Sequence, residues 1–207
     1  PPPHLLMDCL GALEKFFHES TLPPLVTIAL IHLQFEAIHP FLDGNGRVGR
    51  LLIILYLVDR GILPSPILYL SAFFEAKRDE YYAHLRAVNE KGDWEGWVEY
   101  FLNGVARQAE DALGRIKRMQ ETVAKWKQSF TRKADKNCLL LIDDCMGNPF
   151  MTVSGVAKKH KVAFPTAQRA IDKLEKVGAL KQTSDAKRNR IYCARKLLDI
   201  LDEPVKM

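Results

Sequence analysis

The sequence lacks any apolar run approaching the ~18 residues of a membrane-spanning helix, so no membrane span is expected. It also lacks the charged start, short apolar stretch and small-residue cleavage site of a secretory signal. Cysteine is sparse. Cys9, Cys138, Cys145 and Cys193 form no C-x-x-C pair, which suits a reduced cytosol and argues against a disulfide framework. A cytoplasmic location is the expectation, with the cysteines serving as buried apolar residues. No Met begins the chain. It opens on Pro1-Pro2-Pro3 and is expected to be part of a longer gene product.

What is present is an ordinary globular composition: 207 residues, 47% hydrophobic and 27% charged. One or two domains with a proper core are expected. The net charge of +5 is uneven. Residues 1–131 hold 14 Lys and Arg against 16 Asp and Glu, whereas residues 132–207 hold 16 against 9. The excess of +7 in the second stretch marks a domain boundary.

The chemistry concentrates in His39-Pro40-Phe41-Leu42-Asp43-Gly44-Asn45-Gly46-Arg47-Val48-Gly49-Arg50. Gly44, Asn45 and Gly46 all tolerate positive φ, and a helix is expected to begin just after them. Backbone N–H groups at such a start form an anion site. Arg47 and Arg50 follow at i,i+3. Two cations at a helix start oppose its dipole, a costly placement unless an anion sits there. Asp43 would stand beside bound phosphates, where a carboxylate holds Mg²⁺. His39 precedes Pro40, which biases it to an extended backbone, with its imidazole available as a base. Phe41 is expected to pin the loop to the core.

Two lookalike motifs fail. Gly44-x-Gly46-x-x-Gly49 fits the dinucleotide fingerprint, but no strand precedes it. Asp43-x-Asn45 starts like a calcium loop, but its twelfth position is Ile54.

The twelve residues resemble the signature of the Fic family, H-P-F-x-[DE]-G-N-G-R-x-x-R, at every fixed position. The resemblance implies transfer of AMP from ATP to a Ser, Thr or Tyr hydroxyl of a target protein. It implies His39 as general base and Asp43 as the Mg²⁺ ligand. Gly44, Asn45 and Gly46 would form the anion nest, and Arg47 and Arg50 would grip the phosphates. Gly46 argues against the family's kinase-like toxin branch, which has lysine there. The stretch from Leu68 to Leu102 also resembles Fic proteins, placing Tyr82 and Asn89 near the adenosine. Core packing for Tyr82 and a helix-end cap for Asn89 are the bland alternatives.

Helical periodicity runs through residues 4–19, then from Leu25 to Ile38 with Pro23-Pro24 fitting its first turn, then from Arg47 to Arg60, where Gly61 and Pro64 end it. The two helices flanking the motif look central. His32 reads as a packed histidine, and Gln34 either packs at the core edge or looks into the site. Residues 71–90 read as one helix, and Trp94 and Trp97 as core aromatics. Val105, Ala109, Ala112, Ile116, Met119, Val123, Trp126 and Phe130 make a heptad seam. It serves either a homodimer or the chain's own core.

Residues 136–200 order their patterns as a winged helix-turn-helix does. A helix over 136–145 precedes the Gly147-Asn148-Pro149 turn. A short helix capped by Thr152 or Ser154 follows, then a recognition helix over 165–177, then strands at 180–183 and 190–194 around a wing. Gln168, Arg169 and Lys173 would face outward from the recognition helix. Lys187, Arg188 and Arg190 would sit on the wing, where phosphates are met. DNA and protein contact both fit.

The expected fold is mostly α: a Fic-type helical bundle over 1–104, a connecting helix over 105–135 and a winged helix-turn-helix over 136–207. The expected function is protein adenylyltransferase, with ATP as substrate and Mg²⁺ as cofactor. Its alternatives are a DNA-binding regulator with a nucleotide-binding core and a hydrolase that removes AMP. Many Fic proteins carry an inhibitory helix, [ST]-x-x-x-E-[GN], whose glutamate would pair with Arg50. Ser71-x-x-x-Glu75 comes closest but is followed by Ala76, so the expectation is a fragment lacking that helix and the acceptor-aligning flap.

Overall fold

The computed structural model describes all residues except 66–67, 69, 184–188 and 205–207, together with the side chain of Lys133. The chain forms two compact units, which meet in sequence between Ala112 and Leu113. The secondary structure is mostly α.

The first unit opens with a 3-10 turn at Pro3–Leu5 and α1, Leu6–Glu19. A turn follows in which Thr27 Oγ1 donates to the Leu22 carbonyl at 3.2 Å. Then comes α2, Pro24–Ile38, with proline in its first turn, where the missing N–H costs nothing. Helix α2 is apolar all round because it is surrounded. Ile28, Ala29, Ile31 and His32 have no exposed surface. Against it packs α3, Asn45–Asp59, which buries Gly49, Ile53, Tyr56 and Leu57.

The expected single helix over 71–90 is two helices, α4, Leu70–Ala76, and α5, Arg78–Lys91. The break is at Lys77 (φ −116°). Asp79 and Glu80 stand in the first turn of α5, where negative charge favours a new helix start. Helix α6, Trp94–Gln128, closes the bundle. Trp97 is fully buried and its indole N–H donates to the Ala29 carbonyl at 2.8 Å. Trp94, expected in the core, is 46% exposed, because Trp97 one turn later fills the core position.

In the second unit the last part of α6 leads to a 3-10 turn at Lys133–Asp135 and α7, Lys136–Gly147. Strand β1, Phe150–Thr152, was not legible in the sequence. Helix α8, Val153–His160, starts on Thr152, whose hydroxyl accepts from Gly155 N–H at 3.1 Å. Helix α9, Phe164–Lys176, strands β2, Lys181–Gln182, and β3, Ile191–Cys193, and α10, Arg195–Asp202, complete it. The antiparallel sheet has the order β1-β3-β2, with Met151 opposite Tyr192 and Lys181 opposite Cys193. Leu141, Ile142, Ile171 and Tyr192 fill the core beneath it. The Arg115 guanidinium donates to the carbonyls of Ile200, Leu201 and Glu203, satisfying acceptors at the end of α10.

Most of the heptad seam serves the chain's own cores, while Ile116 in its middle is exposed. Val105 and Ala109 pack on the core of the first unit, and Met119, Val123, Trp126 and Phe130 belong to that of the second. Among the described residues, no helix is long and apolar enough to cross a membrane.

Candidate functional site

The motif is the reversal between α2 and α3. His39 ends α2, and its N–H donates to the Phe35 carbonyl at 3.0 Å. Its backbone is left-handed (φ 51°, ψ 58°), not extended as expected from Pro40. Proline disfavours the α region for the residue before it. The left-handed conformation escapes that clash while keeping the last helical bond and turning the chain. The side chain is thereby exposed at the helix end.

The loop is held by Asn45, not by Phe41. Phe41 is 50% exposed, its ring 6.4 Å from that of Phe35. Asn45 is 2% exposed. Its amide nitrogen donates to the Phe41 carbonyl at 2.6 Å, and its amide oxygen accepts from Phe41 N–H at 2.8 Å. An apolar ring at the loop tip has little core to reach, whereas an amide satisfies two backbone groups that the reversal leaves unpaired.

Helix α3 begins at Asn45, two residues earlier than expected. Gly44 alone of the three nest residues has positive φ (87°), and it precedes the helix. The first helical bond runs from Val48 N–H to the Gly44 carbonyl at 3.0 Å. The N–H groups of Asn45, Gly46 and Arg47 therefore stand ahead of the helical ladder, and no side chain caps them. A helix start left open in this way suits an anion.

Asp43 lies at this start. Its Oδ1 accepts from Gly44 N–H at 2.7 Å and its Oδ2 from Arg47 Nη2 at 3.0 Å. Both side chains are largely exposed, 92% for Asp43 and 75% for Arg47. The anion needed to offset arginine at a helix start is thus supplied by the loop itself. Asp43 keeps unused lone pairs on both oxygens. Among the described residues, no group of three or more His, Cys, Asp or Glu is placed to hold a metal ion.

Beneath the loop lies Glu36, which sequence reasoning missed. It is half-buried on α2. A Cβ on Gly49 would stand 2.7 Å from Glu36 Oε1 and 3.2 Å from His32 Nδ1. Gly49 is therefore the residue that lets α3 approach α2 this closely. Burial pushes the Glu36 carboxyl up, while the charges of Arg50 and then His39 pull it down. His32 Nε2 hydrogen-bonds Tyr81 Oη at 3.0 Å, and its ring stacks on Phe74. Burial holds the His32 pKa down at about 4, so the imidazole is neutral at ordinary pH. A glutamate three residues before His39 was the one signal available in the sequence.

Tyr82 and Asn89 are both exposed on α5. The Tyr82 ring lies 5.7 Å from the Arg78 guanidinium and packs edge-on against Tyr81. Gly92 (φ 69°), not Asn89, takes the end of α5. The Tyr81–His32 bond fixes α5 to α2 below the loop. Gln34 lines an apolar hollow with Cys9, Leu13, Leu30 and Trp94.

In the second unit two expected nucleic-acid contacts are engaged elsewhere. Lys173 Nζ donates to Asp135 Oδ1 at 2.5 Å, and Gln168 Nε2 to Asp172 Oδ1 at 2.7 Å. Acidic neighbours within reach capture these side chains. Arg169 and Arg190 are exposed, and Lys187 and Arg188 lie outside the described residues.

Comparison with known proteins agrees with the motif. Residues 1–57 match the Fic/DOC family. A probable protein adenylyltransferase of Aquifex aeolicus is 37% identical over 82 residues, 37% of this chain and 26% of that protein. The protein adenylyltransferase Fic of Drosophila yakuba is 40% identical over 86 residues, 42% of this chain and 16% of that protein. The protein adenylyltransferase fic-1 of Caenorhabditis elegans is 37% identical over 116 residues, 55% of this chain and 21% of that protein. The chain thus spans only 16–26% of the length of these relatives. A crystal structure of a Fic family protein from Desulfovibrio desulfuricans G20 shares the fold, with TM-score 0.55 and 20% identity over 93% of this chain and 56% of that one. The motif loop and the α2 helix that leads into it lie within the residues that match the Fic/DOC family.

Proposed function

We propose that the chain is the core of a protein adenylyltransferase, which moves AMP from ATP to a hydroxyl of a target protein. The observation that carries this is the uncapped start of α3, where three N–H groups and Arg47 stand at the end of the short reversal that begins with His39. The nest and arginines bind the phosphates and cancel their charge. His39 takes the proton of the acceptor hydroxyl. The hydroxyl oxygen bonds to the α-phosphorus and pyrophosphate leaves in line. No covalent role for the protein is needed, only positioning and electrostatics. Tyr82 and Asn89 are proposed to face the adenosine. Asp43 would hold Mg²⁺: an exposed carboxylate with free lone pairs suits a cation that takes most of its ligands from phosphate and water. When bound, that ion would neutralise phosphate charge. Labelling of a lysate protein from α-labelled ATP, absent with His39→Ala, is the expected result. Labelling from γ-labelled ATP would point to a kinase instead, and release of AMP from a modified protein to the reverse reaction.

The second unit we read as a winged helix-turn-helix. Support comes from its element order, helices α7, α8 and α9 with a β2–β3 hairpin beside α9. Its charge favours a polyanion, with Arg169 and Arg190 the described contacts. Retardation of mixed duplex DNA at low salt, lost steeply as salt rises, is the expected result. No retardation leaves protein contact.

A further inference from the structure

The Glu36 carboxylate is unusual for the interior of a helical bundle. Oε1 has no accessible surface and no hydrogen-bond partner. An anion placed this way is costly unless a cation answers it. Two motif glycines make the room for it. Oε1 lies 2.7 Å from where a Gly49 Cβ would stand and 3.8 Å from where a Gly46 Cβ would stand. At that second point the nearest atom is Arg50 Nη1, at 3.1 Å. The Glu36 carboxylate and the Arg50 guanidinium therefore share one cradle on α3. Arg50 is the largest charge acting on Glu36, and His32 and Tyr81 feel Arg50 as well. The neutral His32 ring, hydrogen-bonded to Tyr81, lies beside the same cradle.

We propose that Glu36 is a positioning residue for Arg50: its unpaired carboxylate attracts the guanidinium from beneath, across more than hydrogen-bond distance, and so biases how Arg50 is presented to the phosphates. A free arginine at this point samples many rotamers, and a phosphate must order it. An arginine already drawn toward a buried carboxylate loses less freedom when its fork closes on an anion. This rests on the nucleotide-binding reading above and adds a residue to it.

The test is a double-mutant cycle read by calorimetric binding of MgATP to the full 207-residue chain, with AMP transfer measured separately. Glu36→Gln keeps the shape and removes the charge. It is expected to weaken MgATP about tenfold in the wild-type background and less than twofold in Arg50→Ala. A loss of the same size in both backgrounds would mean a merely structural role and overturn the proposal. Unchanged or tighter binding by folded Glu36→Gln overturns it too, since removing a negative charge by itself favours a polyanion. Should Glu36→Gln not fold, Glu36→Asp takes its place. It keeps the charge but draws it back from α3, and a weakening of about threefold is expected. Unchanged affinity in folded Glu36→Asp overturns the proposal. The two readings fail differently. If the wild type binds MgATP and labels no protein, the transferase reading falls while the Glu36–Arg50 coupling is still read from binding. If the wild type binds no MgATP, both fall.

Discussion

Asn45 and Phe41 clasp each other through two hydrogen bonds, one in each direction, across the reversal between α2 and α3. The amide in the middle of the proposed phosphate nest is therefore a clamp. Its side chain shapes the loop, while its backbone N–H remains at the uncapped end of α3. Asn45→Ala leaves Phe41 N–H and C=O unpaired in a part-buried setting. It should cost about 2 kcal/mol of unfolding free energy in urea titrations, and MgATP binding should fall with it.

His39, the proposed base, should contribute little stability, because its imidazole is exposed. His39→Ala should reduce AMP transfer by at least ~10²-fold, the usual worth of a positioned base. MgATP affinity measured calorimetrically should stay within about threefold of wild type. Near-full transfer by the variant would remove His39 from the mechanism.

Asp43 and Arg47 form an exposed pair on the loop, and exposed pairs stabilise little. Asp43→Ala and Arg47→Ala should each leave the melting temperature of the unliganded chain within about 2 °C of wild type. Each should weaken MgATP about tenfold. Removing Arg47 also relieves a cation from the positive end of α3, so a small rise in melting temperature is in keeping. A large loss of stability with unchanged affinity would make the pair structural.

Acid should find the first unit through His32. The unfolded chain protonates this residue near its ordinary pKa of 6.5, and the folded chain only at about 4. Between those values the unfolded state binds the extra proton. The contribution is complete above 6.5 and is lost as pH falls to about 4, a loss on the order of 3 kcal/mol. Glu36 acts in the opposite direction, since its raised pKa favours the folded state at low pH. Comparing wild type with His32→Gln cancels that part. The stability gap between the two should narrow steadily from pH 6.5 to 4 in denaturant titrations. A gap independent of pH would mean that His32 is not buried neutral.

Much of this molecule was legible from its residues. The twelve-residue motif carries its chemistry in residue types and spacing. The flanking helices α2 and α3 are announced by proline, glycine and apolar period, and the charge step near residue 131 by composition. Local rules suffice there because capping, turn formation and burial of a periodic face act over a few residues. What the tertiary structure alone decided are the matters of distance between separate helices. It assigned most of the heptad seam to the chain's own cores, since the same stripe fits any apolar partner. It left Trp94 at the surface and took Trp97 inside, and it broke the helix at Lys77. It locked Lys173 onto Asp135, a partner 38 residues away. Above all, it set Glu36 against Gly49 and beside Arg50, because only the close crossing of α2 and α3 brings this half-buried carboxylate beneath the start of α3.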